Sequence, residues 1–170
     1  MKLADGFGGS NPPDATFFKE LNVSITHSLQ YGILHLTIDR VERRNALTAE
    51  MFADLADELD QAIMQTAVRV VLLKSSGTVF SAGADLEEMF SAPEDLERET
   101  RRFFDSIAKF PKPIIAQVSG PCVGEAFAAL LYCDLVYVSP QALFSLPAVA
   151  LARTCLLYTS DAADDRISVD

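Results

Sequence analysis

Two short segments near the start of the chain alternate apolar and polar side chains. They cover residues 23–28 and 33–38. Alternation with a period of two is typical of a strand that buries one face. Residues 30–32, Gln-Tyr-Gly, lie between them and suit a tight turn. The pattern therefore predicts a β-hairpin.

Two later segments repeat apolar residues at helical spacing. The first follows Thr48, which suits an N-cap, and the second follows the sequence Ser91-Ala-Pro-Glu94, which has the form of a capping box. The first apolar stripe comprises Phe52, Leu55, Leu59, Ala62 and Ile63, and the second comprises Leu96, Phe103, Phe104 and Ile107. We expect both stripes to face the core. The second helix also bears Arg98, Arg101 and Arg102, which favour a solvated charged face.

A near-continuous apolar run predicts a buried parallel strand at residues 68–74. Residues 113–118 and 135–138 are predicted as further strands, and residues 142–147 are expected to be extended. Residues 125–132 are apolar almost throughout and predict a buried helix. Strands that alternate with helices indicate an α/β domain with right-handed crossovers.

Small residues mark two of the predicted strand–turn–helix junctions. One is the stretch 78–85, Thr-Val-Phe-Ser-Ala-Gly-Ala-Asp, and the other is the stretch 119–124, Ser-Gly-Pro-Cys-Val-Gly. Small side chains let a ligand approach the backbone, and N–H groups at a helix start can point at a developing negative charge. Two such junctions can give one N–H each to a single carbonyl oxygen, which is the arrangement of an oxyanion hole.

Composition narrows the range of partners. The chain has 170 residues, enough for one domain, and a net charge of −10, which argues against nucleic acid and anionic membranes. No run is long enough to span a membrane, and residues 1–11 lack the apolar core of a signal peptide. Cys122, Cys133 and Cys155 lack metal or redox spacing, so we expect buried thiols in a reducing cytoplasm. His27 and His35 are expected to be structural or solvated rather than catalytic.

Six motifs in order resemble the crotonase superfamily, the enoyl-CoA hydratase/isomerase family. They are Arg44-Asn45-Ala46-Leu47, Phe80-Ser-Ala-Gly-Ala-Asp85, Lys112-Pro-Ile-Ile-Ala116, Gly120-Pro-x-x-Gly124, Cys133-Asp134-Leu135, and Ala142-Leu-Phe144 with Pro147. The resemblance covers residues 23–152. It implies a spiral of ββα repeats, an acyl-CoA thioester as substrate, no separate cofactor or metal, and a homotrimer or hexamer at full length.

The same resemblance implies the site residues. The two oxyanion-hole donors fall on the backbone N–H groups of Ala84 and Glu125. The implied substrate-binding residues are Arg44, Ala46, Ala82, Gly83, Ala84, Asp85, Leu86 and Gly124. Arg43 and Arg44 could contact the phosphates of coenzyme A, or could belong to a solvated loop. Asp85, Glu87 and Glu88 are expected to be helix-start charges rather than catalysts.

The chain departs from the family pattern at the acid–base groups. By counting from the motifs, the two glutamates of the family hydratase fall at Ala128 and Ala148. Alanine can neither give nor take a proton, so ordinary hydration is in doubt. Glu125 stands where the family usually has glycine. Its carboxylate could act protonated, could reach the substrate α-carbon, or could turn away towards the helix N-terminus; we expect the last.

Three segments are predicted along the chain. Residues 1–20 form a loose leader, residues 21–154 a partial crotonase-like domain, and residues 155–170 a tail that resembles a translated sequencing adapter. The alternative for the tail is a natural polar terminus. We expect the helical C-terminal region of the family to be missing.

Two functions follow as hypotheses. The first is an enzyme that acts on acyl-CoA by stabilising a thioester enolate, with isomerisation or hydrolysis as admissible as hydration. The second is a non-catalytic acyl-CoA-binding or scaffolding protein that keeps the fold without the acids.

Overall fold

A five-stranded sheet forms the centre of the computed structural model, which describes residues 24–147. In chain order the strands are β1 (Ile25–Gln30), β2 (Ile33–Ile38), β3 (Val70–Ser75), β4 (Ile114–Val118), β5 (Cys122–Val123), β6 (Leu135–Val138) and β7 (Phe144–Ser145). The helices are α1 (Ala49–Met64), α2 (Leu86–Ser91), α3 (Pro93–Lys109) and α4 (Glu125–Leu130), with a 3₁₀ turn at Val41–Arg43. The predicted leader and tail lie outside the described residues.

The strand order of this sheet is β1-β2-β3-β4-β6. β1 and β2 form the predicted antiparallel hairpin, while β2, β3, β4 and β6 run parallel. Tyr31 and Gly32 make the hairpin turn with φ of 53° and 83°. Two positive φ angles match the twist that a two-residue hairpin turn needs. The α/β class with parallel crossovers is therefore confirmed.

Helices α1 and α3 cover this sheet with their apolar stripes. The Thr48 side chain accepts a hydrogen bond from the Met51 N–H at 3.2 Å, so the predicted N-cap of α1 is confirmed. Ile63 is the exception in the first stripe, because it is 38% exposed at the edge of the buried face. The second stripe is buried throughout. The three arginines of α3 pair with nearby carboxylates, as a solvated charged face requires.

The predicted capping box of α3 is wrong. Ser91 is the last residue of α2, and its hydroxyl donates to the Glu87 carbonyl within that helix at 2.9 Å. The N-cap of α3 is Ala92, which makes no side-chain cap bond. Pro93 does occupy the first turn, as expected.

A two-stranded sheet of β5 and β7 continues the chain beyond β4. Helix α4 begins at Glu125 as predicted but ends at Leu130, two residues early. Its buried side chains include Ala126, Ala128 and Ala129. Within residues 24–147, every helix is too short or too polar to cross a bilayer.

Candidate functional site

The first junction runs between two neighbouring segments and is hydrogen-bonded to both. On one side, the Leu47 N–H donates to the Gly83 carbonyl and the Asp85 N–H donates to the Leu47 carbonyl, each at 2.8 Å. On the other side, Ser81 bridges Cys122 in parallel register. Successive N–H groups of an extended segment point to opposite sides, so the Ala84 N–H faces away from Leu47. The fold therefore fixes the direction of this donor.

Asn45 holds the first junction in place from a buried position. Its side-chain N–H groups donate to the carbonyls of Ser76 and Val79, both at 2.8 Å, and its carbonyl Oδ1 accepts from the Arg40 N–H at 2.8 Å. The Ser81 hydroxyl donates to the Asn45 carbonyl at 2.7 Å and accepts from the Gly83 N–H at 3.1 Å. Asn45 has a φ of 55°, which asparagine tolerates better than most residues. The sequence reasoning gave Asn45 and Ser81 no role of their own.

Arg40 and Asp85 form the main ion pair at this junction. The Arg40 guanidinium donates to Asp85 Oδ2 at 2.6 Å and to the Ala46 carbonyl at 2.9 Å. Asp85 Oδ1 accepts from the Glu87 and Glu88 N–H groups at 2.8 and 3.3 Å and caps α2. Burial by itself raises the pKa of Asp85, but the hydrogen bonds from Arg40 and these N–H groups outweigh it and hold the pKa below its ordinary value. The ionised carboxylate is therefore a structural cap, as expected.

The other predicted carboxylates and arginines of this region also have partners. Glu88 accepts from the Ala49 N–H at 2.7 Å at the start of α1, and the exposed Glu87 lies 3.7 Å from Arg43. Arg44 is exposed with a φ of 53°, and its backbone N–H donates to the Val41 carbonyl. Contacts of Arg43 and Arg44 with phosphate stay a prediction.

The second junction packs directly against the first. A side chain added at Gly120 would place its Cβ 1.8 Å from the Thr78 carbonyl oxygen. Gly83 has a φ of 87°, and a Cβ there would lie 2.8 Å from the Val123 carbonyl oxygen. Gly124 precedes α4 with a φ of 60°. The structure thus brings the two junctions together, and glycine is required where their backbones touch.

The Glu125 carboxylate occupies the point where the junctions meet. Its Oε2 accepts a hydrogen bond from the Ala84 N–H at 3.1 Å. The expectation that this side chain turns away is therefore wrong. Gly83 and Gly124 lack side chains beside it, so the carboxylate has room to fold back across the start of α4. The Ala84 N–H thus already donates to a carboxyl oxygen, at 3.1 Å, which is within the distance expected for an oxyanion donor.

The remaining predicted site residues differ in exposure. Gly83, Ala84 and Asp85 are buried, whereas Ala82 and Leu86 are exposed on either side of them. Ala128, which the sequence predicts to stand at the position of the first hydratase glutamate, lies on α4 and is 6% exposed. Ala148 lies outside the described residues.

The other reactive side chains do not contribute to this site. Burial raises the pKa of the Cys122 and Cys133 thiols to about 12, so both are protonated at neutral pH and are poor nucleophiles. His27 pairs with Glu58 at 2.7 Å. Between residues 24 and 147, no group of three histidine, cysteine, aspartate or glutamate side chains could hold a metal ion.

Comparison with known proteins agrees with this geometry. A sequence model of the family described as enoyl-CoA hydratase/isomerase matches residues 28–158. This chain belongs to the enoyl-CoA hydratase/isomerase family. The resemblance to the crotonase superfamily is thereby confirmed.

Relatives of this family member include hydratases and isomerases. It is 34% identical to the probable enoyl-CoA hydratase echA6 of Mycobacterium leprae (strain TN), over 68% of the chain and 48% of the relative. It is 36% identical to the 2,3-dehydroadipyl-CoA hydratase of Escherichia coli (strain K12), over 73% of the chain and 49% of the relative. It is 32% identical to the enoyl-CoA delta isomerase 2 of Rattus norvegicus, over 75% of the chain and 35% of the relative. The chain thus spans between about a third and a half of these relatives.

Solved structures confirm the crotonase-like fold. Pseudomonas aeruginosa OdaA superposes with a TM-score of 0.72 at 39% identity, over 75% of this chain and 52% of that one. The enoyl-CoA hydratase/isomerase (crotonase) described for Legionella pneumophila subsp. pneumophila str. Philadelphia 1 superposes with a TM-score of 0.74 at 30% identity. This superposition covers 79% of this chain and 54% of that one.

Proposed function

We propose that this family member acts on an acyl-CoA thioester by stabilising an enolate in an oxyanion hole. The two donors are the N–H groups of Ala84 and Glu125. The observation that carries this proposal is the hydrogen bond from the Ala84 N–H to a carboxylate oxygen at 3.1 Å, at the start of α4. A donor that holds a carboxylate oxygen is oriented to hold an enolate oxygen.

Each admissible reaction builds negative charge on the thioester oxygen. In isomerisation a base takes a proton from the α-carbon, in hydration water adds to the β-carbon, and in hydrolysis water adds to the carbonyl carbon. Two fixed donors stabilise that charge, and losing one of them typically costs about 3 to 4 kcal/mol of transition-state stabilisation. The start of α4 adds its partial positive charge at the same point. These groups act on the carbonyl alone, so they serve isomerisation or hydrolysis as well as hydration.

A second candidate function is non-catalytic binding of acyl-CoA. The observation that favours it is the buried methyl group of Ala128, at the position where the sequence predicts the first glutamate of the family hydratase. A protein with the oxyanion hole but without the acid and base can still hold the thioester carbonyl. The relatives named as hydratase and isomerase favour the enzyme, and Ala128 favours the binding protein.

Binding and turnover of CoA esters separate the two functions. The purified protein is mixed with a panel of enoyl-CoA and saturated acyl-CoA esters. Calorimetry measures binding. Loss or gain of the enoyl-thioester absorbance measures hydration and isomerisation, and release of free thiol measures hydrolysis. We expect binding together with isomerisation, hydrolysis or hydration of at least one ester. Binding without turnover of any ester supports the second function, and absence of binding overturns both.

The assembly and the location of the protein belong to the same proposal. We expect a homotrimer or hexamer at full length and a cytoplasmic location, and both stay predictions. Sedimentation of the purified protein tests the first.

A further inference from the structure

One donor of the oxyanion hole already has an acceptor in the folded chain. The Ala84 N–H donates to Glu125 Oε2, and the Leu47 bridge keeps this N–H pointing at that place. One N–H forms one strong hydrogen bond at a time. A thioester oxygen and the Glu125 carboxylate oxygen therefore cannot both be held well by Ala84.

The place that the carboxylate oxygen occupies is narrow. A Cβ added at Gly83 would lie 3.3 Å from Oε2 and 3.4 Å from the Gly124 Cα. The oxygen thus lies beside the Gly83 backbone, where a side chain at position 83 would contact it. Its contact with Ala84 is within the distance of an ordinary hydrogen bond.

We propose that the Glu125 carboxylate is an internal competitor for the oxyanion hole, which the thioester carbonyl must displace in order to bind. Glu125 thereby sets the affinity for the acyl carbonyl without affecting recognition of the rest of coenzyme A. This inference rests on the proposed function, since it takes a CoA thioester as the ligand.

The size of the effect follows from the bond that is displaced. A hydrogen bond to a charged acceptor contributes more than one between neutral groups. Removing the Glu125 carboxylate should therefore tighten binding of a thioester by roughly ten- to a hundredfold. A ligand without the carbonyl has no need of the Ala84 N–H, so its affinity should not change.

The test compares two ligands that differ only at the carbonyl. Butyryl-CoA is a saturated thioester, and S-butyl-CoA is the thioether with a CH₂ in place of the carbonyl. Calorimetry gives the Kd of both ligands for the unsubstituted protein, Glu125→Ala and Glu125→Gln. Glu97→Ala and Glu97→Gln are the matched controls, because Glu97 is an exposed glutamate of α3 that pairs with Arg101 away from the site.

We expect Glu125→Ala to tighten binding of butyryl-CoA roughly ten- to a hundredfold. Glu125→Gln should tighten it less, because an amide oxygen still accepts from Ala84 but without a charge. Binding of S-butyl-CoA should stay the same in all five proteins, and both Glu97 variants should match the unsubstituted protein. The ratio of the two Kd values is taken on one preparation, so it does not depend on the fraction that is folded.

Two results overturn the inference while the proposed function stands. The first is an unchanged ratio of the Kd of butyryl-CoA to that of S-butyl-CoA in both Glu125 variants. The second is weaker binding of butyryl-CoA by these variants, which would make the carboxylate part of the binding surface. If neither ligand binds the unsubstituted protein, the proposed function and this inference fail together.

Discussion

At the scale of single residues, the two junctions depend on glycine where their backbones touch. Gly83 combines a φ of 87° with a neighbouring carbonyl oxygen 2.8 Å from where a Cβ would lie. A left-handed backbone and a backbone clash both penalise a side chain at this position. No flexible side chain can move to relieve the contact with Val123.

We expect Gly83→Ala to lower the free energy of unfolding by roughly 2 to 4 kcal/mol, because it adds backbone strain and overpacking. Urea denaturation at pH 7 measures this. Gly77→Ala is the matched control, since Gly77 has a φ of 75° but a Cβ there meets only the Val41 side chain, at 3.1 Å. Equal losses in the two variants would contradict the role of the Val123 carbonyl.

The ion pair of Asp85 and Arg40 gives stability that depends on pH. The pKa of Asp85 is lower in the folded chain than its ordinary value of 3.8. Its stabilising effect is therefore complete above that value and is lost as the pH falls through the lowered pKa. At low pH the protonated carboxyl group no longer attracts Arg40.

Replacing Asp85 with Asn should lower the free energy of unfolding at pH 7 by about 2 to 3 kcal/mol, through loss of a charged hydrogen-bond acceptor. The difference between the variant and the unsubstituted chain should shrink steadily as the pH falls below 3.8. Denaturation curves between pH 7 and pH 2 check this. A difference that does not depend on pH would show that the charge of Asp85 is not what stabilises the junction.

The sequence predicted correctly that the two backbone junctions approach each other, but it did not predict the direction of the Glu125 side chain. The approach of the two junctions follows from small residues after parallel strands, whose ends meet at one edge of the sheet. The direction of the Glu125 side chain depends on Gly83, 42 positions earlier in the sequence, so spacing within α4 says nothing about it. Asn45 and Arg40 were missed for the same reason, because their partners lie far along the chain.

At the scale of elements, periodicity predicted the strands and helices and was weakest at their ends. β1, β2, β3, β4 and β6 all appear close to the predicted positions because each is a clear apolar run or alternation. The start of α3 was missed because Ser91 is already the end of α2. Local sequence signals at a boundary do not say which of two consecutive helices a residue joins.

Helix α1 has an acidic face that works against the fold. The pKa of Asp54 is raised by burial first and then by the negative charges of Glu50, Asp57 and Glu58, which lie three or four positions away. A raised pKa in the folded chain means that ionised Asp54 destabilises it. This penalty is complete above the raised pKa and absent below the ordinary value of 3.8.

Asp54→Asn should therefore raise the free energy of unfolding at pH 7 by about 0.5 kcal/mol, since it removes the negative charge that Glu50, Asp57 and Glu58 repel. The gain should vanish at pH 3, where aspartate is protonated in both states. Asp57→Asn is the control, because Asp57 pairs with Arg102 of α3 and its loss should reduce stability. Urea denaturation of both variants at pH 7 and pH 3 measures these changes. A higher free energy of unfolding for Asp57→Asn would contradict a stabilising pair between Asp57 and Arg102.

At the scale of the whole molecule, β6 is the last strand of the sheet within residues 24–147, and it carries apolar side chains. β6 pairs with β4 on one side, and all four of its residues are exposed in the described part of the chain. Leu135 and Tyr137 are 52% and 64% exposed. The sequence predicted a strand here, but exposure depends on what packs against it, which an apolar run does not specify. An exposed apolar edge strand favours pairing with another chain.

We expect the purified chain to self-associate through β6, and Leu135→Lys to weaken that association roughly tenfold or more, because burying an unpaired charge in the contact is costly. Sedimentation velocity over a range of protein concentrations measures the association. Met64→Lys is the control. Met64 is an apolar side chain at the end of α1 that is 83% exposed, and its replacement by lysine adds the same charge away from the sheet. If both lysine variants weaken association equally, net charge rather than the β6 edge controls it. If Leu135→Lys alone has the effect, this edge is the contact through which the chain assembles.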